Sequence, residues 1–436
     1  MMKMVKNYVR KLLLAGLLVF AVSVVPGAIV QAAEQATVKE INYRPDGEFV
    51  DGLAVVIDEN GKYGFMDTNG EIAIPCQYDG AYDFVDGLAP VQQDGKWGYI
   101  DEKGKLVVKY KYDAAYCFSK GMAIVGKYNN SDGNIQYGFM DNKGKLVINC
   151  QYEESGNFSD NGLCKVKKNG KWGYINKKGK LVVKCKYDEA YSFNNGMAIV
   201  GKYDSDGNIR YGFINNKGKL VIKCQYEIPD NFADNGLAAV QKNGKWGYIN
   251  KKGEVVVKFQ YERAGMFSEE GLAGVQKDGK WGYIDKKGKV VVKCKYDEAY
   301  FFSNGMAVVG NYDDNGVMKY GYINKNGKLI VKCQYEAVNG YTANGLAAVQ
   351  KDGAWGYMNK KGKAVVKCQY EIAYDFTDDG YAVVKSFDGS YNIIDKNGNC
   401  LIQNSDCIGI GFWGALGNGG VLVIGSDAMG YLVTIK

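Results

Sequence analysis

Histidine does not occur in this 436-residue chain. That absence removes the Ser-His and Cys-His nucleophile pairs and every histidine-containing metal site. Proline is nearly missing: beyond the N-terminal segment only Pro45, Pro75, Pro90 and Pro229 remain. Past residue 32 no apolar run approaches the roughly 20 residues that a membrane helix needs, and no stretch places its apolar residues at helical spacing. A marked excess of one charge is lacking as well. The first 32 residues take four basic side chains with them, which leaves 51 Lys and Arg against 48 Asp and Glu, or about +3. These charges are dispersed in Lys-Asp-Gly and Lys-Lys-Gly turns and draw no basic stripe, so a nucleic-acid partner is not expected.

The N-terminal segment has its own pattern. Lys3, Lys6, Arg10 and Lys11 precede an apolar run from Leu12 to Val25, and Val30-Gln31-Ala32 offers a small-residue cleavage site. Residues 1–32 therefore read as a secretory signal peptide cleaved near Ala32, not as a span. The mature chain is expected to be secreted or at the cell surface, without a membrane span. No cysteine stands directly after the cleavage point, so a lipid anchor is not indicated.

From about residue 50 onward one segment is copied repeatedly, with Gly279-Lys280-Trp281-Gly282-Tyr283-Ile284-Asp285 as its clearest form. The motif aromatic recurs at Tyr63, Trp97, Tyr137, Trp172, Tyr211, Trp246, Trp281, Tyr320, Trp355 and Tyr391, spaced 34 to 36 residues apart, or 39 to 40 where a turn is lengthened. Seven residues after each aromatic stands a glycine, from Gly70 to Gly398. Fifteen residues after it the first nine copies have a tyrosine, from Tyr78 to Tyr370. This is a repeat protein of ten copies.

Each copy reads as strands. In the seventh, Leu272 to Lys277 and Lys280 to Asp285 flank Asp278-Gly279, a two-residue turn that demands positive φ. Lys286-Lys287-Gly288 is a second turn, and Val290 to Tyr296 a third strand whose Val290, Val292, Cys294 and Tyr296 share one face. A three-stranded meander cannot cover its own apolar face, so neighbouring units must stack face to face. The segment from Tyr296 to Gly305 is expected to cross to the next unit. It ends on an inward aromatic anchor found at Phe84, Phe118, Phe158, Phe193, Phe232, Phe267, Phe302, Tyr341, Phe376 and Phe412.

The Gly-Lys-Trp-Gly-Tyr-Ile-Asp motif, the Lys-Lys-Gly-Lys turn, the Tyr-Asp-Glu-Ala segment and the Phe-x-x-Gly-Leu-Ala-x-Val stretch together resemble the WG repeat family of bacterial proteins. The resemblance covers residues 49 to about 398 and implies a β-rich interaction module rather than a reaction. Half of the copies carry Tyr where the family name has Trp, which suits a slot that wants a packed ring.

Both ends look like partial units. Gly420 to Ile424 and Met429 to Val433 match the first two strands of a copy, with Met429 in the Trp slot, and Thr37 to Tyr43 matches a third strand and crossover. The halves are complementary, as a ring closed by its two ends would need, although eleven units exceed the blade number of common propellers and fit an open superhelix more easily. The expected organisation is a signal peptide at 1–32, a partial repeat at 33–48, ten WG-type repeats at 49–398 and a degenerate half-repeat or cap at 399–436. The expected fold class is all-β, a tandem array of about ten three-stranded antiparallel β-meander repeats, propeller-like or open superhelical.

Candidate chemistry is sparse. Of eleven cysteines, seven (Cys76, Cys150, Cys185, Cys224, Cys294, Cys333 and Cys368) occupy one slot that holds Tyr110 and Phe259 in other copies. A slot that accepts Cys, Tyr and Phe is a packing position, not a disulfide or metal site. The odd total in an exported chain points to a reducing or anaerobic habitat. Cys117, Cys164, Cys400 and Cys407 show no ligand spacing. The longer turns at 129–134, 204–208 and 313–316 are similar to calcium loops but lack the closing glutamate, so extended hairpins are expected. Gly409 to Gly414 spells a dinucleotide fingerprint with no helix after it. No catalytic, cofactor-binding or metal residue is assigned, and no cofactor is expected. The expected function is an exported, non-enzymatic module that binds a protein or a cell-envelope polymer over an extended surface. The alternative is a glycan or wall-binding module using exposed aromatic platforms, and a carboxylate hydrolase is a third class.

Overall fold

The computed structural model describes residues 36–46, 49–129, 131, 133–404, 413–416, 420–424 and 430–435. The chain divides into Met1–Glu34 and Gln35–Lys436, and everything described belongs to the second unit. The signal segment, Phe412, Met429 and most of the dinucleotide-like run thus lie outside the described residues. No helix among the described residues is long and apolar enough to cross a membrane.

Among the described residues the strands form eleven four-stranded antiparallel sheets. We number them along the chain: sheet 1 spans 44–78, sheet 2 80–112, sheet 3 114–152, sheet 4 154–187, sheet 5 189–226, sheet 6 228–261, sheet 7 263–296, sheet 8 298–335, sheet 9 337–370 and sheet 10 372–404. The three-stranded unit expected from sequence is corrected here. In sheet 7 the strands run Arg263–Ala264, Leu272–Lys277, Lys280–Asp285 and Val290–Tyr296 in spatial order. The extra first strand lies inside the expected crossover and makes two pairings, Arg263 with Gln276 and Ala264 with Val275. Two residues cannot show the apolar-polar alternation by which a strand is recognised in sequence.

The turns follow the sequence reading. Asp278 and Gly279 have φ of 52° and 72°, as the tight hairpin requires. In the second turn Gly288 has φ of 79°, and the Asp285 carboxylate accepts the backbone N–H groups of Lys287 and Lys289, both at 2.9 Å.

The fourth strand is not a regular ladder. Trp281 faces Tyr296 while Tyr283 faces Val292, so Gly282 alone opposes Lys293, Cys294 and Lys295. This wide bulge presses backbone against Gly282: a Cβ there would lie 2.4 Å from the Val292 oxygen and 2.7 Å from the Cys294 nitrogen. The same slip recurs in sheets 1 to 9. Sheet 10 is the informative exception. There Asn392 stands in the glycine position, and Tyr391, Asn392 and Ile393 face Asn404, Gln403 and Ile402 in unbroken register. Glycine and bulge go together because only hydrogen leaves room for the arched strand.

Stacking places the core between sheets, as expected. The period of two along each strand sends alternate residues to opposite neighbours. Ala273, Val275 and Ile284 pack with Tyr248, Val257 and Phe267 of the junction behind, while Leu272, Tyr283 and Val292 pack with Phe302, Ala307 and Val309 of the junction ahead. Inner strands are therefore buried on both faces. The crossover aromatics are anchors in the described copies: from Phe84 to Phe376 all are buried.

The two chain ends share the eleventh sheet. Its order is Trp413–Leu416, Gly420–Ile424, Gly430–Ile435 and then Ala36–Ile41, whose residues pair antiparallel from Ala36 with Ile435 to Ile41 with Gly430. The complementary halves thus complete one four-stranded sheet, in which the first described strand pairs with the last. Cys400–Asn404 completes sheet 10, six residues beyond the limit read at 398.

Candidate interaction surface

Most of the motif is occupied in joining one sheet to the next. Lys280 donates to Asp297 in the following crossover at 2.5 Å, and Asp297 also accepts the Tyr312 N–H in the next sheet at 3.3 Å. Lys62 with Asp79, Lys96 with Asp113 and Lys171 with Asp188 repeat the arrangement. The lysine hydrogen bond holds the carboxyls of Asp188 and Asp297 below the usual range. Where the crossover acid is glutamate, as at Glu153, Glu262 and Glu336, it accepts the N–H of Gly170, Gly279 or Gly353 instead.

The second motif tyrosine serves the same joint. Tyr283 is fully buried, its hydroxyl donates to the Tyr300 carbonyl at 2.6 Å, and its ring meets Phe302 edge-on at 4.9 Å. Tyr99, Tyr174, Tyr248, Tyr322 and Tyr357 donate to the crossover carbonyl seventeen residues on in the same way. A buried hydroxyl needs such a partner, and the partner supplied is the backbone of the next unit.

The motif aromatics themselves sit less deeply than a core position. Trp172 is buried, packed with Ala190 and Phe193 and covered by the Lys165 ammonium 4.5 Å from its ring. Tyr63, Trp97, Tyr137, Tyr211, Trp246, Trp281, Tyr320, Trp355 and Tyr391 are half-buried. Trp97 lies flat against Tyr82 of its own sheet, with ring centres 5.1 Å apart and planes 10° apart.

The slot cysteines rest against the bulge. Cys294 is half-buried, with its thiol 3.6 Å from the Val275 carbonyl, and Cys150, Cys185, Cys224, Cys333 and Cys368 approach a carbonyl similarly. Burial pushes these thiols up, that of Cys76 to about 11. Tyr110 and Phe259 fill the same space beside Gly98 and Gly247. In the long hairpins Asp204 and Asp313 are turned inward on their own loops. Asp204 accepts the N–H of Asp206 and Asn208, and its other oxygen takes Arg210 Nε at 2.8 Å. Asp313 accepts the N–H of Asn315 and Val317. Among the described residues no group of three His, Cys, Asp or Glu side chains could hold a metal ion.

Two features remain that these joints do not use. The first is a set of crossover aromatics: Tyr82, Tyr191, Tyr300 and Phe301, just after a two-residue first strand, and Tyr116, within the longer first strand of sheet 3, stand out into solvent, Phe301 at 63% exposure. Tyr300 and Phe301 border a cavity of about 320 Å³ between sheets 8 and 9, lined also by Tyr320, Val338 and Tyr341. Glu298 accepts both Tyr300 and Tyr320 hydroxyls at 2.9 and 3.0 Å, an arrangement repeated by Glu189 with Tyr191 and Tyr211. Burial and that carboxylate hold the Tyr320 phenol far above its usual range. The second feature is the outer edge, the unpaired side of each fourth strand. In sheets 1 to 10 these strands carry ten lysines and no acid. The expectation of evenly dispersed charge is thereby corrected. Linear sequence mixes the edge lysines with acids that the fold places elsewhere, in the crossovers.

A family profile described as WG containing repeat matches nine successive segments, 63–97, 97–130, 137–172, 172–205, 211–246, 246–281, 281–313, 320–353 and 355–391. The chain belongs to this WG repeat family. The two letters of its name divide into distinct tasks here, since the ring covers a junction and the glycine admits the bulge. No curated protein matches the sequence. Among solved structures, a crystal structure of the eukaryotic initiation factor is similar over 80% of this chain and 94% of its own, at 11% identity and a TM-score of 0.43. PorZ, an essential bacterial surface component of the type-IX secretion system of Porphyromonas gingivalis, is similar over 94% of this chain and 70% of its own, at 8% identity and a TM-score of 0.24. Neither likeness carries a functional argument. The WG repeat chain also has an aromatic set that motif reading missed, because Tyr82, Tyr191 and Tyr300 fall in a segment read only as a connection.

Proposed function

We propose that this WG repeat chain is an exported, non-enzymatic scaffold that binds a protein or a cell-envelope polymer over an extended surface. The observation that supports it most is the division of labour within the motif: lysine and second tyrosine are engaged in sheet-to-sheet joints and the glycine in the bulge of its own sheet, while surfaces outside the motif repeat along the array. Export rests on the basic and then apolar N-terminal segment, and the non-enzymatic reading on a sequence without histidine. Two measurements test the proposal. The N-terminus of protein recovered from the medium or cell surface should be near Ala33, and intact Met1 on exported material would contradict it. Mature protein should co-sediment with purified cell envelopes of the producing cell, and protein that stays in the supernatant would count against binding.

A glycan-binding reading is favoured by one specific observation, the aromatic cavity beside Phe301. It moves the platform from the motif rings to the crossover rings. Replacing Tyr300 and Phe301 by alanine should then abolish retention on cell-wall glycan without lowering thermal stability, because both side chains are exposed. Retention equal to that of the unaltered protein would remove this alternative.

A further inference from the structure

The outer edges of sheets 4 to 7 gather positive charge in a way that net charge conceals. Lys184, Lys186, Lys223, Lys258, Lys293 and Lys295 are all exposed on fourth strands, and these four strands contain no Asp or Glu. The adjoining turns 177–180 and 286–289 add three lysines each and no acid. The ion pairs among the described residues use other lysines, such as Lys96, Lys171 and Lys280. Successive edges lie side by side: Val292 of sheet 7 is 2.7 Å from where a Cβ of Gly327 in sheet 8 would stand, and Tyr296 shares a core cluster with Cys333. The bulge turns Lys293 and Lys295 outward on both sides of half-buried Cys294. Charges so repeated along a surface suit a linear partner with repeated charges of opposite sign.

We propose that these edges bind a flexible, linear polyanion that carries no bases, for which poly(glycerol phosphate) is the probe. The inference rests on the reading of the array as an extended binding module. Two details separate this class from nucleic acid. The whole chain has only four arginines, Arg10, Arg44, Arg210 and Arg263, so the edge presents lysine point charges and not the planar forks that read bases. The fourth strands of sheets 4 to 7 carry no exposed ring themselves; Tyr191 and Tyr300 follow the first strand, on the opposite edge of the sheet, while the exposed Tyr203 and Tyr312 of the long hairpins stand at the ends of the edges, with their N–H groups on Asp188 and Asp297. Bases would therefore find single rings at the ends of two edges and no continuous stacking row along the charge, whereas a polymer without bases needs none.

The test uses the full mature chain, titrated with poly(glycerol phosphate) over a range of salt concentrations, beside a variant carrying Lys→Gln at those six positions. The unaltered protein should bind with an affinity that falls steeply with salt. The variant should lose at least about tenfold at low salt, and its log-log salt slope should flatten by about 4 if all six charges contact phosphate. Its melting profile should shift little, since all six side chains are exposed and the losses are the contacts of Lys186 and Lys295 with the Tyr187 and Tyr296 rings. No binding at low salt, or an unaltered slope in the variant, overturns the proposal. Tighter binding of single-stranded poly(dT) at equal charge overturns the ligand class. Failure here with continued co-sedimentation with cell envelopes sinks this inference alone, whereas failure of both sinks the scaffold reading beneath it.

Discussion

Gly282→Ala is the most demanding test of the bulge. A methyl group there would meet the Val292 oxygen at 2.4 Å, the Cys294 nitrogen at 2.7 Å and the Lys293 carbonyl carbon at 2.8 Å. All three are backbone atoms, so no side chain can swing aside. Restoring ordinary contact requires the fourth strand to move by about 1 Å, away from a junction packed at the density of a solid. Inserting atoms into such a site typically costs about 1–3 kcal/mol, and an unyielding backbone places this case at about 3 kcal/mol. Gly274→Ala is the matched control in the same sheet. Its Cβ would have nothing nearer than 3.8 Å, its φ is not positive, and the change should be neutral or stabilising by up to about 1 kcal/mol. Because repeat arrays open locally, amide hydrogen exchange in 280–296 is a better measure than a single melting temperature. Faster exchange there for Gly282→Ala but not for Gly274→Ala is the expected result. Equal protection in the two variants would refute the argument that the bulge requires glycine.

Tyr283→Phe keeps the buried ring, as Phe65, Phe139 and Phe213 do in other copies, but orphans the Tyr300 carbonyl. It should cost about 1 kcal/mol and loosen residues 297–302, and unchanged exchange there would show that the hydroxyl contributes nothing. The crossover aspartates set an acid limb of stability. Asp188 and Asp297 have folded pKa values below the ordinary 3.8, chiefly through Lys171 and Lys280, so their contribution is complete well above pH 4 and lost as pH falls through the lower folded value. Asp297→Asn should flatten the decline of stability between about pH 5 and pH 2, and an identical acid limb in variant and parent would contradict the linkage. Cys294 and its slot mates should label slowly with a thiol reagent in the native protein and fully after denaturation, because burial disfavours the thiolate. Labelling at the rate of a free thiol would reverse that reading.

Repetition makes most of the fold legible in the sequence. Ten motif aromatics, the glycine-bearing turns and the period-two strands lead to an all-β array with its core between units, and the partial units at the ends anticipate a shared sheet. Three features are not legible there, each for a physical reason. A two-residue strand such as Arg263–Ala264 leaves no periodic trace. The bulge shows in sequence only as a glycine and a cysteine twelve residues apart, Gly282 and Cys294, whose relation emerges once Gly282 is seen to face three residues. The lysine edge is hidden because charge alternates in sequence while the fold sorts it, acids such as Asp297 to the crossover and Lys293 to the outer strand. Sequence also overstates the depth of the motif rings: only Trp172 is buried, while Trp281 and its equivalents stand half-exposed at the rim of a junction.

The central claim is that the WG motif holds neighbouring sheets together, and Trp172 tests it most directly. Trp172→Ala removes a buried ring from a cluster shared by sheets 4 and 5, a change worth about 3–5 kcal/mol at full burial. Hydrogen exchange across the whole array, compared for the parent, Trp172→Ala and Trp172→Tyr, gives the answer. The account predicts loss of protection in 171–187 and in 189–203 of the next sheet for alanine, little change for tyrosine, and no effect in sheet 9. Protection that is unchanged in both sheets 4 and 5 for Trp172→Ala would contradict it.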